Sequence, residues 1–104
     1  MTFQSTFQNI WVYEVREEFL DDFIQAYDSK GTWVKLFSHC PDYIKTELKR
    51  DVENPNRFVT IDSWLSLSEF SAMKQTIGGE YEELDSKCEA YTLSENHIGF
   101  FYGE

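Results

Sequence analysis

Three polar side chains stand in otherwise apolar stretches of this sequence, and they are the first candidates for chemistry. Asn9 interrupts Phe7-Gln8-Asn9-Ile10-Trp11-Val12-Tyr13, on the same side of an extended segment as Trp11 and Tyr13. An amide there can hold a phenol or an oxygen species, or it can satisfy backbone groups at a strand end. His97 lies in Leu93-Ser-Glu-Asn-His97-Ile-Gly-Phe-Phe-Tyr102, where alternation puts it in phase with Leu93 and Phe101. A neutral imidazole can accept a phenolic proton; a hydrogen-bonded core or rim histidine is the plainer reading. Asp62 alternates with Thr60 and Trp64, and its carboxylate suits either a base or a structural partner of nearby donors, the second being more ordinary. His97 is thus the candidate base and Asn9 the candidate for orienting a ring. His39, ahead of Cys40-Pro41 in an expected loop, carries less weight.

Trp33, Phe37, Trp64, Phe70, Met73 and Tyr81 could wall a flat pocket for a planar ring compound, since ligand sites combine large apolar walls with few polar groups. Ordinary core packing produces the same helical stripe. Cys40 and Cys88 are the two cysteines, with no C-x-x-C, and together with His39 and His97 they match no zinc spacing. Two reduced thiols and no metal are expected. Paired catalytic carboxylates, a glycine-rich phosphate loop and a nucleophile elbow are all missing from the sequence.

The elements that must position these residues follow from periodicity. Residues 7–15 read as a strand with Phe7, Asn9, Trp11, Tyr13 and Val15 on one face and Ile10 and Val12 on the other. Phe19, Leu20, Phe23, Ile24 and Tyr27 then recur at helical spacing, and a further helical turn or two precedes Pro41. Residues 43–50, with Ile44, Thr46 and Leu48 inward, and residues 57–64 form a hairpin around a polar turn containing Asn54-Pro55-Asn56. Ser66 and Glu69 have the spacing of a capping box opening a helix that stops at Gly78-Gly79. A third helix carries Tyr81, Leu84, Cys88 and Tyr91 inward, and residues 93–102 close the chain as a strand. The order is β-α-β-β-α-β, an α+β ferredoxin-like plan with helices on one face of a four-stranded antiparallel sheet, in one domain over 1–104.

The outer strands carry large apolar residues on both faces, which a soluble monomer seldom leaves uncovered. A second sheet from an identical subunit covers them, so a homodimer burying well over ~2,000 Å² is expected. Nineteen acids against nine bases give a net charge of −10, and residues 80–104 hold seven of those acids against one base. That balance argues against nucleic acid and against an anionic membrane surface as partners. No apolar run reaches the ~18 residues of a spanning helix, and no basic region precedes an apolar stretch at the start, so a cytoplasmic location is expected.

Several segments together resemble the antibiotic biosynthesis monooxygenase (ABM) family of dimeric α+β barrels. They are Gly31-x-Trp33-x-x-Leu36-Phe37, Pro41-Asp42-Tyr43-Ile44, Thr46-Glu47-Leu48, Arg57-Phe58-Val59-Thr60-Ile61-Asp62-x-Trp64, Glu80-Tyr81-x-x-Leu84-Asp85-x-x-Cys88-Glu89 and Ile98-Gly99-x-Phe101. The resemblance spans roughly residues 8–102 and is nearest to an uncharacterised branch of the family. It implies two ferredoxin-like protomers sharing a barrel. For chemistry it implies a cofactor-independent monooxygenase acting on a small quinol or polyphenol-like ring, with no cofactor. Haem-degrading members use a helical Trp and a His, which would fall at Met73 and near Leu84 or Asp85 here; neither matches, so no haem turnover is expected. The alternative is a non-catalytic dimeric small-molecule-binding or stress-related protein on the same fold. An open aromatic cavity with Asn9 or His97 turned inward favours the enzyme, and a filled interior favours the binder.

Overall fold

The computed structural model describes residues 6–103, with the side chain of Glu69 left aside. Strand β1 (Phe7–Val15) leads through a 3₁₀ turn (Glu17–Phe19) into helix α1 (Leu20–Tyr27) and helix α2 (Thr32–Phe37). The hairpin β2 (Tyr43–Arg50) and β3 (Arg57–Trp64) follows, then helix α3 (Leu67–Glu89) and strand β4 (Thr92–Tyr102). All pairings are antiparallel in the order β2-β3-β1-β4, the ferredoxin-like α+β arrangement. The hairpin turn is held by Asp51, whose Oδ1 accepts from the Glu53 and Asn54 amides at 2.8 and 3.2 Å. Those bonds, with Arg57 bonded to Oδ2, hold the Asp51 carboxyl below its ordinary range.

Aromatic and β-branched alternation makes β1 the central strand, and its register decides what meets what. Asn9 lies between Asp62 of β3 and Phe100 of β4; Trp11 lies between Thr60 and His97; Tyr13 lies between Phe58 and Glu95. These residues share the face covered by the helices. Phe7, Phe23, Phe58, Trp64, Val15 and Cys88 form the fully buried part of that core. Cys40 and Cys88 are both buried free thiols.

Two of the three register shifts among the described strands correct the expected faces. Between the Ile10–Gly99 and Trp11–His97 pairs, Ile98 is an extra residue. Beyond it Phe100 and Tyr102 share the His97 face, whereas Phe101 pairs with Gln8 on the other. His97 is therefore not in phase with Phe101, because a bulge changes the side on which every later residue lies. The second shift skips Ile44, which is 41% exposed rather than inward. Tyr43 takes the inner position instead, 5.4 Å from the Phe37 ring and 5.2 Å from Trp64.

The helix expected to stop at Gly78-Gly79 breaks one residue earlier, at Ile77, and a second helical segment follows as expected. α3 continues to Glu89 across a kink at Ile77, whose φ of −128° and ψ of 20° leave the helical range. Neither glycine takes a positive φ, so no left-handed cap forms. Met73, Ile77 and Cys88 are buried along the inner side of the two segments. Leu67, at the start of α3, is 45% exposed. Glu69, half of the expected capping box, lies outside the described side chains; Ser66 Oγ is 3.1 Å from Ser68 Oγ. Among the described residues no helix is long and apolar enough to cross a membrane.

Gly31 and Gly79 make opposite predictions about stability. A Cβ on Gly31 would stand 2.6 Å from the Gln25 carbonyl oxygen and 2.7 Å from that of Ala26, both backbone atoms. Gly31→Ala is expected to lower unfolding free energy by about 1–3 kcal/mol, as overpacking does. A Cβ on Gly79 meets nothing within 4 Å, so Gly79→Ala should raise stability by about 0.5–1 kcal/mol. Urea titrations of the two variants check both signs.

Candidate active site

Between the sheet and the helices lies a cavity of about 160 Å³. A cavity of roughly 150 Å³ is enough to hold one benzene ring, so this is room for a single ring rather than a fused system. Its sheet side is made by Asn9, Trp11 and Tyr13 of β1, Thr46 of β2, Thr60 and Asp62 of β3, and Glu95 of β4. Its helix side is made by Tyr27 of α1, Trp33 and Phe37 of α2, and Phe70, Met73, Tyr81 and Asp85 of α3.

Asp62 is the carboxylate most enclosed by this arrangement. It keeps some accessible surface, but that surface opens onto the cavity it lines. Thr46 Oγ1 donates to Asp62 Oδ1 at 2.6 Å, and Tyr43 Oη is 2.6 Å from the same Thr46 oxygen. Because the single threonine proton goes to Asp62, Tyr43 donates to Thr46, giving a chain of donors that ends on the carboxylate. Loss of hydration pushes the Asp62 carboxyl up to about 6, and the Thr46 bond restrains that rise. The nearby phenols move the other way from ionisation: burial pushes Tyr13 and Tyr27 up, and the Asp62 charge adds to the effect at Tyr13. Those phenols stay protonated while Asp62 can exchange a proton near neutral pH.

Asn9, 8% exposed, lies directly across β1–β3 from Asp62. Its Oδ1 is 2.7 Å from His97 Nε2. An amide oxygen can only accept, so His97 Nε2 carries the proton in this contact. That fixes the amide with its Nδ2 donors free of the histidine. The imidazole is itself packed 4.7 Å from the Trp11 ring and 4.6 Å from Phe100.

The structure brings Asn9, Trp33, Phe37, Phe70, Met73 and Tyr81 to one cavity. Two other expected site residues stand outside the lining. Trp64 is completely buried behind it, with Phe37, Tyr43 and Phe70 rings 5.2 to 5.6 Å away. His97, exposed on β4, bonds Asn9 Oδ1 and is not part of the lining. Thr46, Tyr13, Tyr27, Asp85 and Glu95 are lining residues that sequence reasoning did not assign to a site, and Asp62, weighed there as a base or a structural partner, lines it too. For Asp62 a signal existed: in a ferredoxin-like order β1 and β3 are neighbours, so a polar residue on each inner face meets across the pair.

The same α+β arrangement is found in several solved proteins. A protein of Nitrosomonas europaea provisionally named an antibiotic biosynthesis monooxygenase superposes with a TM-score of 0.74 and 16% identity, covering 99% of this chain and 95% of that one. SnoaB, named a cofactor-independent oxygenase from Streptomyces nogalater, gives 0.71 and 17%, covering 96% and 94%. A conserved protein from Methanosarcina mazei gives 0.73 and 12%, covering 97% and 95%. The chain therefore has the fold of structures named antibiotic biosynthesis monooxygenases. No family model and no curated protein matches the sequence.

Proposed function

We propose that this protein is a cofactor-independent monooxygenase of a small phenolic or quinol ring, with Asp62 as base and Asn9 holding the phenolic oxygen. The observation that carries the reading is the cross-strand pair itself: an amide donor and a carboxylate acceptor side by side in a ring-sized aromatic cavity. The fold shared with SnoaB, named a cofactor-independent oxygenase, supports the same class of chemistry. Asp62 takes the phenolic proton, and an Asn9 N–H donates to the oxygen as it becomes negative. The phenolate passes one electron to O₂, and ring radical and superoxide combine into a C–O–O bond. Loss of water from that peroxide leaves a new carbonyl. For hydroquinone the balance is C₆H₆O₂ + O₂ → C₆H₄O₃ + H₂O, the ring supplying the electrons. Trp64 acts through packing, and His97 positions Asn9.

Oxygen uptake with a panel of hydroquinones and polyphenols tests this reading, comparing wild type with Asp62→Asn, His97→Ala and Trp64→Phe. Wild-type uptake above the buffer rate that collapses in Asp62→Asn is the expected result. Uptake at the buffer rate for every ring would leave a non-catalytic binding protein. Uptake lost in His97→Ala but kept in Asp62→Asn would move the base to His97.

The working unit in this reading is a homodimer. Ile10, Val12, Val59 and Ile61 lie on the sheet face away from the helices, with Phe101 44% exposed beside them. Sedimentation at micromolar concentration should give a dimer, and a stable folded monomer there would contradict it. Phe101→Asp, on that face, should shift the equilibrium toward monomer.

A further inference from the structure

We infer that the ring this cavity takes carries a positive charge, a phenol bearing an ammonium group, an inference that rests on the reading of the cavity as a phenol site. Three carboxylates line the cavity, Asp62, Asp85 and Glu95, and no lysine, arginine or histidine does. The ion pairs of the described residues place Arg57, Lys45 and Lys49 against Glu14, Asp51 and Glu47, leaving those three acids without a paired cation. They act on one another and on the wall. Besides burial, the Asp85 charge pushes the Glu95 carboxyl up, and all three acids push the Tyr81 phenol up.

Their depth is graded. Asp62 sits beside Asn9 on the central strands, Asp85 is half-buried on α3, and Glu95 is exposed on β4. Aromatic faces attract cations, and Tyr81 already does so, with Lys74 Nζ 5.0 Å from its ring centre.

Independently of the acids, Asn9 points to what the other end of the ligand must be. The residue is nine-tenths buried and lines the cavity, and its Oδ1 is taken by His97. With Oδ1 taken by His97, what the amide offers the cavity is its N–H donors, which suit an oxygen acceptor on the ligand. A phenolic oxygen at Asn9 and Asp62 leaves the far side of the ring toward Asp85 and Glu95. Forming a phenolate among unpaired carboxylates is opposed by like-charge repulsion. An ammonium on the same molecule offsets that repulsion, a neutral ring does not, and a carboxylated ring adds to it.

The test compares three rings of similar size at pH 7.5 and low salt: 4-(2-aminoethyl)phenol, 4-ethylphenol and 3-(4-hydroxyphenyl)propionate. Binding is followed through quenching of tryptophan fluorescence, Trp11 and Trp33 being on the wall. The ammonium ring is expected to bind at least about tenfold tighter than the neutral one, and the anion weakest. In the Asp85→Asn/Glu95→Gln variant, whose changes sit at the accessible side of the cavity, that preference should fall below about threefold. Equal or tighter binding of the neutral or anionic ring overturns the inference, as does binding by none of them or a preference unchanged in the double variant. Oxygen uptake with the same rings separates the two claims. Turnover of neutral rings without charge preference removes the ligand class alone; tight ammonium binding with no uptake removes the oxygenase reading alone.

Discussion

Asp62→Asn should lose about 10²- to 10⁴-fold in oxygen uptake, the usual contribution of a positioned base, while gaining stability at pH 7.5. Both effects come from one cause. The cavity strips water from the carboxylate and pushes it up to about 6, which makes it a useful base and an unfavourable group to bury ionised. Its folded value stands above its ordinary 3.8, so the folded state binds the extra proton between the two. The associated stabilisation is fully present below about pH 4 and is lost as pH rises through about 6. Two pK units correspond to about 3 kcal/mol at most, and an asparagine keeps an oxygen to accept from Thr46 without the charge. Urea unfolding at pH 4 and pH 7.5 should show the variant gaining on wild type by about 1–3 kcal/mol at the higher pH. In wild type, kcat/KM should rise with pH through an inflection near 6. A variant that is both active and less stable at pH 7.5 would remove the base and the buried-charge argument together.

Asn9→Ala is the second large effect. In the proposed reaction Asn9 Nδ2 donates to the oxygen that becomes negative, and loss of one such donor reduces kcat by about 10²–10³-fold. The side chain is 8% exposed and opposite Asp62, so truncation also enlarges the cavity, and a gain in affinity for bulkier rings can accompany the loss in rate. His97→Ala should fall between wild type and Asn9→Ala, about tenfold down, because it frees an amide that remains present. Steady-state kinetics separate the two variants: loss in kcat for Asn9→Ala, with KM little changed, and a milder loss for His97→Ala. If His97→Ala were the more damaged variant, the histidine would be acting directly on the ring.

How far residues can be read in advance depends on whether their environment is local. The bounds of β1 follow from nine residues alternating without Gly or Pro, and its face assignment holds because no bulge occurs within it. The phase of His97 with Phe101, and the inward place of Ile44, fail for the opposite reason: each depends on one unpaired residue in a ladder, Ile98 or Ile44 itself. Gly78-Gly79 reads as a helix stop by local propensity, and the break falls directly beside it, at Ile77. The aromatic stripe of α2 and α3 lines a cavity; whether such a stripe encloses space or fills it is decided by packing over the sheet. That is why Asp62 reads as an ordinary strand carboxylate until Tyr27, Trp33 and Tyr81 are placed around it. Trp64 fails as a wall residue by the same logic, since Phe37, Tyr43 and Phe70 close in front of it.

The most direct measurement is mass spectrometry of the ring product formed under ¹⁸O₂. Starting from whichever phenol or quinol the wild type consumes, monooxygenation in this cavity predicts one ¹⁸O atom per product ring, the second appearing in water. It also predicts that labelled product falls by at least about a hundredfold in Asp62→Asn. Product lacking ¹⁸O, or labelled product formed equally by Asp62→Asn and wild type, would contradict the account.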